Sequence, residues 1–160
     1  MARTYEPIAS TTLGSDATTI TFSSIPGTYT DLRVVVHGEV SANANSYMRF
    51  NSDSGTNYSW TYVQGYTSAS SGRATGNGSG TDVGYAFANQ RLAITSDVMS
   101  YANTNVNKTV LSGSAAAADL VIRYVGLWRS TAAITRIDLI RQSGNWKSGT
   151  VASVYGIKAA

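Results

Sequence analysis

The chain has 160 residues, enough for one domain with a core of its own. Charged residues make up only 13%, about half the usual share, and the chain has no cysteine, which excludes disulfides, thiol catalysis and cysteine metal sites. No apolar run approaches the ~18–20 residues that span a membrane, and the net charge of +3 is carried by scattered single residues, such as Arg3, Arg33, Arg49, Arg73 and Arg91, rather than by the cluster that nucleic-acid binding asks for.

The first segment, Met1 to Thr4, is expected to be a loose or partner-bound arm, and MARTYEPIAS lacks the apolar core of a secretory signal, so synthesis is placed in a cytoplasm. Tyr5 to Ala9 is a short apolar segment. Ala17 to Ser23 alternates, with Ile20 and Phe22 on one side, and Ile25-Pro26-Gly27 is a turn signal. Asp31 to Val40 is the strongest N-terminal strand, with Leu32, Val34, Val36 and Val40 on one face. A second strand follows at Ser46 to Asn51. With the turn at Asp53-Ser54-Gly55, these two strands are predicted to pair as a hairpin.

Asn57 to Thr67 carries an aromatic stripe: Tyr58, Trp60, Tyr62 and Tyr66 share one parity with Gln64. Such a stripe either packs inward as core or faces a partner chain or glycan. Ser68 to Gly80 is a Ser/Gly-rich stretch predicted to be a long loop that a neighbouring subunit could order. Strands are predicted at Asp82–Ala88, with Val83, Tyr85 and Phe87 on one face, at Gln90–Thr95 and at Lys108–Leu111. Ser96 to Asn107 is ambiguous between an irregular strand and a helical turn, and Ser112 to Ala118 is predicted to be a small-residue loop.

The last third, Asp119 to Lys158, organises the chain. It holds three β-type segments separated by two turns, one of them built around Ser143-Gly144-Asn145. In the first of these segments apolar residues occupy both parities, Leu120, Ile122, Tyr124 and Trp128 on one side and Val121, Val125 and Leu127 on the other. That pattern belongs to a central strand or one covered on both faces. Together the segments predict a single all-β domain over residues 1–160, an antiparallel β-sandwich of roughly nine or ten strands, with a jelly roll preferred over a closed barrel.

Searches for chemistry return little. His37 is the sole histidine and shares a strand face with Glu39, an arrangement expected of a surface ion-pair neighbour. A serine triad would need a nucleophile elbow, and no G-x-S-x-G is present. A glycosidase needs two carboxylates across one groove, and spacing does not pair the nine acids. Asn51, Asp53 and Gly55 suggest part of a calcium loop without its terminal Glu and read as a turn. Gly76, Gly78 and Gly80 form no phosphate loop. No catalytic, cofactor-binding or metal residue is therefore assigned, and a non-enzymatic role is expected.

Six stretches, YEPIASTTLGS, FSSIPGTYTDLRVVV, RFNSDSGTNYSWTYVQG, SDVMSYANTNVNKTVL, GLWRSTAAITRIDL and SGTVASVYGIKAA, resemble in order a group of small structural proteins of tailed phages, especially marine and cyanobacterial ones. The resemblance implies a β-sandwich module on a virion, commonly a symmetric homo-oligomer, with a trimer as the expected number. Because the sequence reads as one free-standing domain beginning at Met1, without a shaft, the expected role is a capsid decoration (cement) protein that binds major capsid subunits or other virion proteins. The alternative is a receptor- or glycan-binding tip of a tail fibre. No nucleic acid or membrane partner is expected. Arg is favoured at interfaces for its planar, multiply donating head, and nine of the 12 basic residues are Arg. The interface candidates are Arg3, Tyr5, Trp60, Tyr62, Tyr66, Arg73 and Asn77.

Overall fold

A computed structural model describes residues 5–116 and 120–158, and those residues form twelve strands and no helix. In chain order these are β1 (Tyr5–Thr12), β2 (Thr19–Phe22), β3 (Asp31–Glu39), β4 (Ala44–Phe50), β5 (Tyr58–Gly65), β6 (Ala69–Gly78), β7 (Thr81–Ala86), β8 (Arg91–Met99), β9 (Lys108–Ala116), β10 (Leu120–Trp128), β11 (Ile137–Arg141) and β12 (Val151–Ile157). They pair into an eight-stranded sheet of order β1-β12-β3-β8-β9-β10-β5-β6 and a four-stranded sheet of order β2-β11-β4-β7, all antiparallel. The fold is the predicted antiparallel, jelly-roll-like β-sandwich.

Alternation builds the core. The inward parity of β3 and β8 supplies Leu32, Val34, Val36, Leu92, Ile94 and Val98, all 2% exposed or less. The small sheet answers with Ile20, Phe22, Met48, Phe50, Ile137 and Leu139. Trp146, fully buried, closes one end, and its indole N–H donates to the Leu139 carbonyl at 3.2 Å.

Three sequence expectations are corrected here, and with them the strand count. The strands at 31–40 and 46–51 are not a hairpin: β3 lies in the large sheet between β12 and β8, and β4 lies in the small sheet between β11 and β7. Each has a buried parity that is satisfied by facing the other layer rather than by lying beside it. The Ser/Gly-rich stretch after Tyr66 is not a loop but the edge strand β6, paired along β5 from Gly65–Ala69 to Tyr58–Gly78. An edge strand needs only one ladder of backbone bonds, which Ser and Gly supply as well as Val does. Gly72 also leaves room for the Tyr62 ring, which a Cβ there would meet at 2.7 Å. The small residues from Ser112 to Ala116 belong to β9, while Ala117 and Ala118 lie outside the described residues. The ambiguous stretch after Ser96 splits: β8 continues to Met99, and a loop follows to Asn107.

The small side chains of β9 follow from packing between layers. The edge strand β7 of the small sheet crosses β9 and β10 closely. Ser112 Oγ donates to the Val83 carbonyl at 2.6 Å and is 2.8 Å from Ser96 Oγ. A Cβ at Gly84 would press on Ile94 and Ser114, and one at Gly126 would overlap the Thr81 side chain. Gly126→Ala should therefore push β7 off β10 and destabilise the domain by about 2 kcal/mol. Thr81→Ala in the same chain should recover part of that loss; additive urea-melt losses for the two substitutions would refute this account.

Candidate functional site

The small sheet is half as wide as the large one, and its edge strand β7 lies over β9 and β10. The inner face of β5 and β6 therefore extends past it as a ledge. The aromatic stripe of β5 runs along this ledge and changes character as it goes. Tyr58 is fully buried, stacks on Trp128 with ring centroids 6.2 Å apart, and donates from its hydroxyl to the Phe50 carbonyl. Trp60 and Tyr62 are half-buried and pack against Tyr124, Trp60 edge-on at 6.1 Å and Tyr62 at 5.7 Å. Tyr66 is 48% exposed and rests on Phe87 at 5.4 Å. The stripe is thus core at one end and surface at the other.

Between Trp60 and the edge of the small sheet lies an open cleft of about 410 Å³. Its walls include Trp60 and Ala74 from the ledge, with Asn45, Tyr47, Asp82 and Gln142 from the small-sheet side. Asp82 is 8% exposed. One carboxylate oxygen, Oδ2, accepts from Asn45 Nδ2 at 2.7 Å, and Asn45 Oδ1 accepts from the Tyr124 hydroxyl at 3.4 Å. Among the described residues Oδ1 of Asp82 accepts no hydrogen bond. Burial pushes this carboxyl up to about 7, against the opposing pull of the Asn45 amide. Gln142 is exposed at the rim, tied to Asn45 through its backbone N–H at 3.0 Å. Arg49 stands next to the cleft but is turned to the Ser79 carbonyl at 2.8 Å and stacks on Tyr47.

Asp82 reaches this position through a bulge. In the pairing of β4 with β7, Ser46 faces Gly84 and Tyr47 faces Asp82, leaving Val83 as an extra residue. Asp82, Val83 and Gly84 are consequently all buried, which no strict alternation allows.

The outer face of the large sheet presents a different surface. On β10, Val121 and Val125 are 59% and 53% exposed. Val125 lies opposite Leu111 of β9, and Arg123 lies opposite Val63 of β5; Leu111 and Val63 are themselves 45% and 58% exposed. Four aliphatic side chains thus form one contiguous ridge. Arg123 stands in its middle, its guanidinium over Gly113, with no hydrogen bond or ion pair among the described residues. The both-sided apolar pattern of β10 does mark a central strand, but one of its two faces is open.

The interface candidates separate accordingly. Trp60, Tyr62 and Tyr66 share the ledge. Arg73 lies on the opposite face, across from Thr61, and exposed Tyr5 lies on β1 at the far edge of the large sheet, under the Arg33 guanidinium. Arg3 and the side chain of Asn77 lie outside the described residues. Asn45, Asp82 and Gln142 and the aliphatic ridge were missed by sequence reasoning. Exposed His37 has Glu39 on its face, and Glu39 is paired instead with Lys147 at 3.4 Å. Asp53 accepts from Trp128 Nε1, Asn57 Nδ2 and the Gly55 N–H, bonds that hold its carboxyl below the usual range, the Trp128 bond foremost. That carboxyl serves the predicted turn.

No family model and no curated protein matches the chain. Among solved structures it is similar to the Caenorhabditis elegans galectin LEC-6, at 8% identity and a TM-score of 0.38 over 94% of this chain and 96% of that one. A tetrameric galectin from the ball sponge Cinachyrella sp. aligns at 14% identity and a TM-score of 0.35 over 87% and 99%. The PL-14 alginate lyase from the marine Aplysia kurodai aligns at 8% identity and a TM-score of 0.31 over 85% and 72%. These likenesses extend to the all-β sandwich and no further.

Proposed function

We propose that this is a non-enzymatic virion structural protein, a capsid decoration protein that docks on major capsid subunits through the outer face of its large sheet. The observation that carries the reading is the ridge of Leu111, Val63, Val121 and Val125, four aliphatics more than two-fifths exposed on adjacent strands. Scattered exposed aliphatics are ordinary, whereas a contiguous row marks an interaction surface. The unpaired Arg123 adds that the receiving surface carries a carboxylate among apolar groups. The phage resemblance of the sequence supplies the setting, and the low surface charge is compatible with close packing on a shell.

The reading is tested by mixing the purified protein with undecorated heads and measuring co-sedimentation. Val121→Asp combined with Val125→Asp should reduce binding by about 100-fold, because the interface would bury two added carboxylates with only Arg123 between them to pair with, a cation then lost to the receiving surface. Both side chains are exposed, so the melting temperature should hold. Undiminished binding of this variant, or cryo-microscopy that finds the protein on the tail, would end the proposal. A tail-fibre tip is the second reading, and the open cleft beside Trp60 is the observation that favours it.

A further inference from the structure

We infer that the cleft between Trp60 and the small-sheet edge is a binding site for an uncharged saccharide, whichever part of the virion carries the protein. A sugar ring has an apolar face of C–H bonds and a rim of hydroxyls, and recognition asks for a flat aromatic surface with planar hydrogen-bonding groups around it. Trp60 supplies the aromatic surface. It is half-buried and held edge-on by Tyr124, so little freedom remains to be lost on binding. The planar groups converge from the other wall: the Asp82 carboxyl, oriented by Asn45, and the Gln142 amide at the rim. A cleft of about 410 Å³ lies in the range of small-molecule sites and holds a short saccharide.

The polarity selects the class. Asp82 offers Oδ1 as an acceptor to ligand hydroxyls, and the neighbouring cation, Arg49, is engaged with the Ser79 carbonyl and the Tyr47 ring. A uronate or sulfated sugar would bring its negative charge against Asp82, the acid that lines the cleft, while the Arg49 guanidinium, held by the Ser79 carbonyl, is not among the lining residues. The site therefore fits neutral hexose units and rejects acidic ones.

The chain has three tryptophans, and Trp128 and Trp146 are 2% and 0% exposed, so a ligand-induced change in tryptophan emission reports Trp60. The full chain is titrated at pH 8 with neutral gluco-, galacto- and manno-oligosaccharides and, in parallel, with uronate oligomers. At least one neutral series should bind with a dissociation constant below ~1 mM and the uronates should not. Trp60→Ala should weaken that binding at least ~10-fold, and Gln142→Ala by ~3-fold or more. Gln142 is exposed and lies outside the core, so its variant carries the test if the Trp60 variant unfolds. Absence of binding by every neutral series at ~10 mM, equal binding of uronates, or an unchanged affinity in Gln142→Ala would each overturn the inference.

Discussion

Replacing Lys108 by Met should lower the stability of the domain by about 2–4 kcal/mol without changing its fold. Lys108 opens β9 on the inward parity, and its side chain is fully buried. Among the described residues no carboxylate meets it. Its ammonium donates instead to three backbone carbonyls, of Asn103 at 2.6 Å, Val106 at 2.7 Å and Thr131 at 3.1 Å. Burial draws its pKa below the ordinary lysine value, because desolvation disfavours the ammonium. The three carbonyls belong to the loop between β8 and β9 and to the segment before β11, so one cation pins two irregular stretches. Met retains the stem and removes the donors. The urea midpoint should fall with an unchanged slope, and hydrogen exchange should show faster opening confined first to residues 100–107. A variant as stable as the parent would show that water replaces the ammonium at no loss.

What the sequence reveals of this molecule depends on which force places each residue. The strand β3 was legible because its alternation answers to one force, burial against the facing sheet. The strands β6 and the second half of β9 were not, because their Ser, Gly and Ala residues answer to close approach: the Tyr62 ring over Gly72 and the crossing of β7 above Ser112 and Ser114. Small residues chosen for proximity resemble those chosen for flexibility. The partition of strands between sheets was equally hidden, since β3 and β4 have the same kind of pattern whether they lie side by side or face to face. Of the cleft, the aromatic wall could be read from the shared parity of Trp60, Tyr62 and Tyr66. The polar wall could not, because Asp82 reaches it only through the bulge at Val83, and Asn45 and Gln142 meet it from β4 and the end of β11. The outer ridge left a trace, the apolar residues on both parities of β10, although in the domain only one of those two faces is covered.

Asp82→Asn should make the protein more stable at pH 8 by about 4 kcal/mol and leave it nearly unchanged near pH 4. Burial raises the carboxyl from 3.8 to about 7 in the folded chain. Between those values the folded state holds a proton that the unfolded state has released, so the stability of the parent declines as pH rises from about 4 and levels off above about 7. Each unit of pKa difference amounts to about 1.4 kcal/mol. The amide of the variant does not titrate, and its carbonyl still accepts from Asn45 Nδ2, so the decline should be lost while the local bond survives. Urea melts of both proteins between pH 4 and 9 decide the matter, and parallel stability curves would refute it. The same substitution replaces a carboxylate acceptor with an amide and should weaken neutral-saccharide binding at pH 8 by ~3-fold or more. A group that an isosteric amide could replace with a gain in stability is a burden on the fold, and such burdens collect where a binding surface requires them. Stability and affinity should therefore move in opposite directions in this one variant, a result that a purely structural role for Asp82 does not produce.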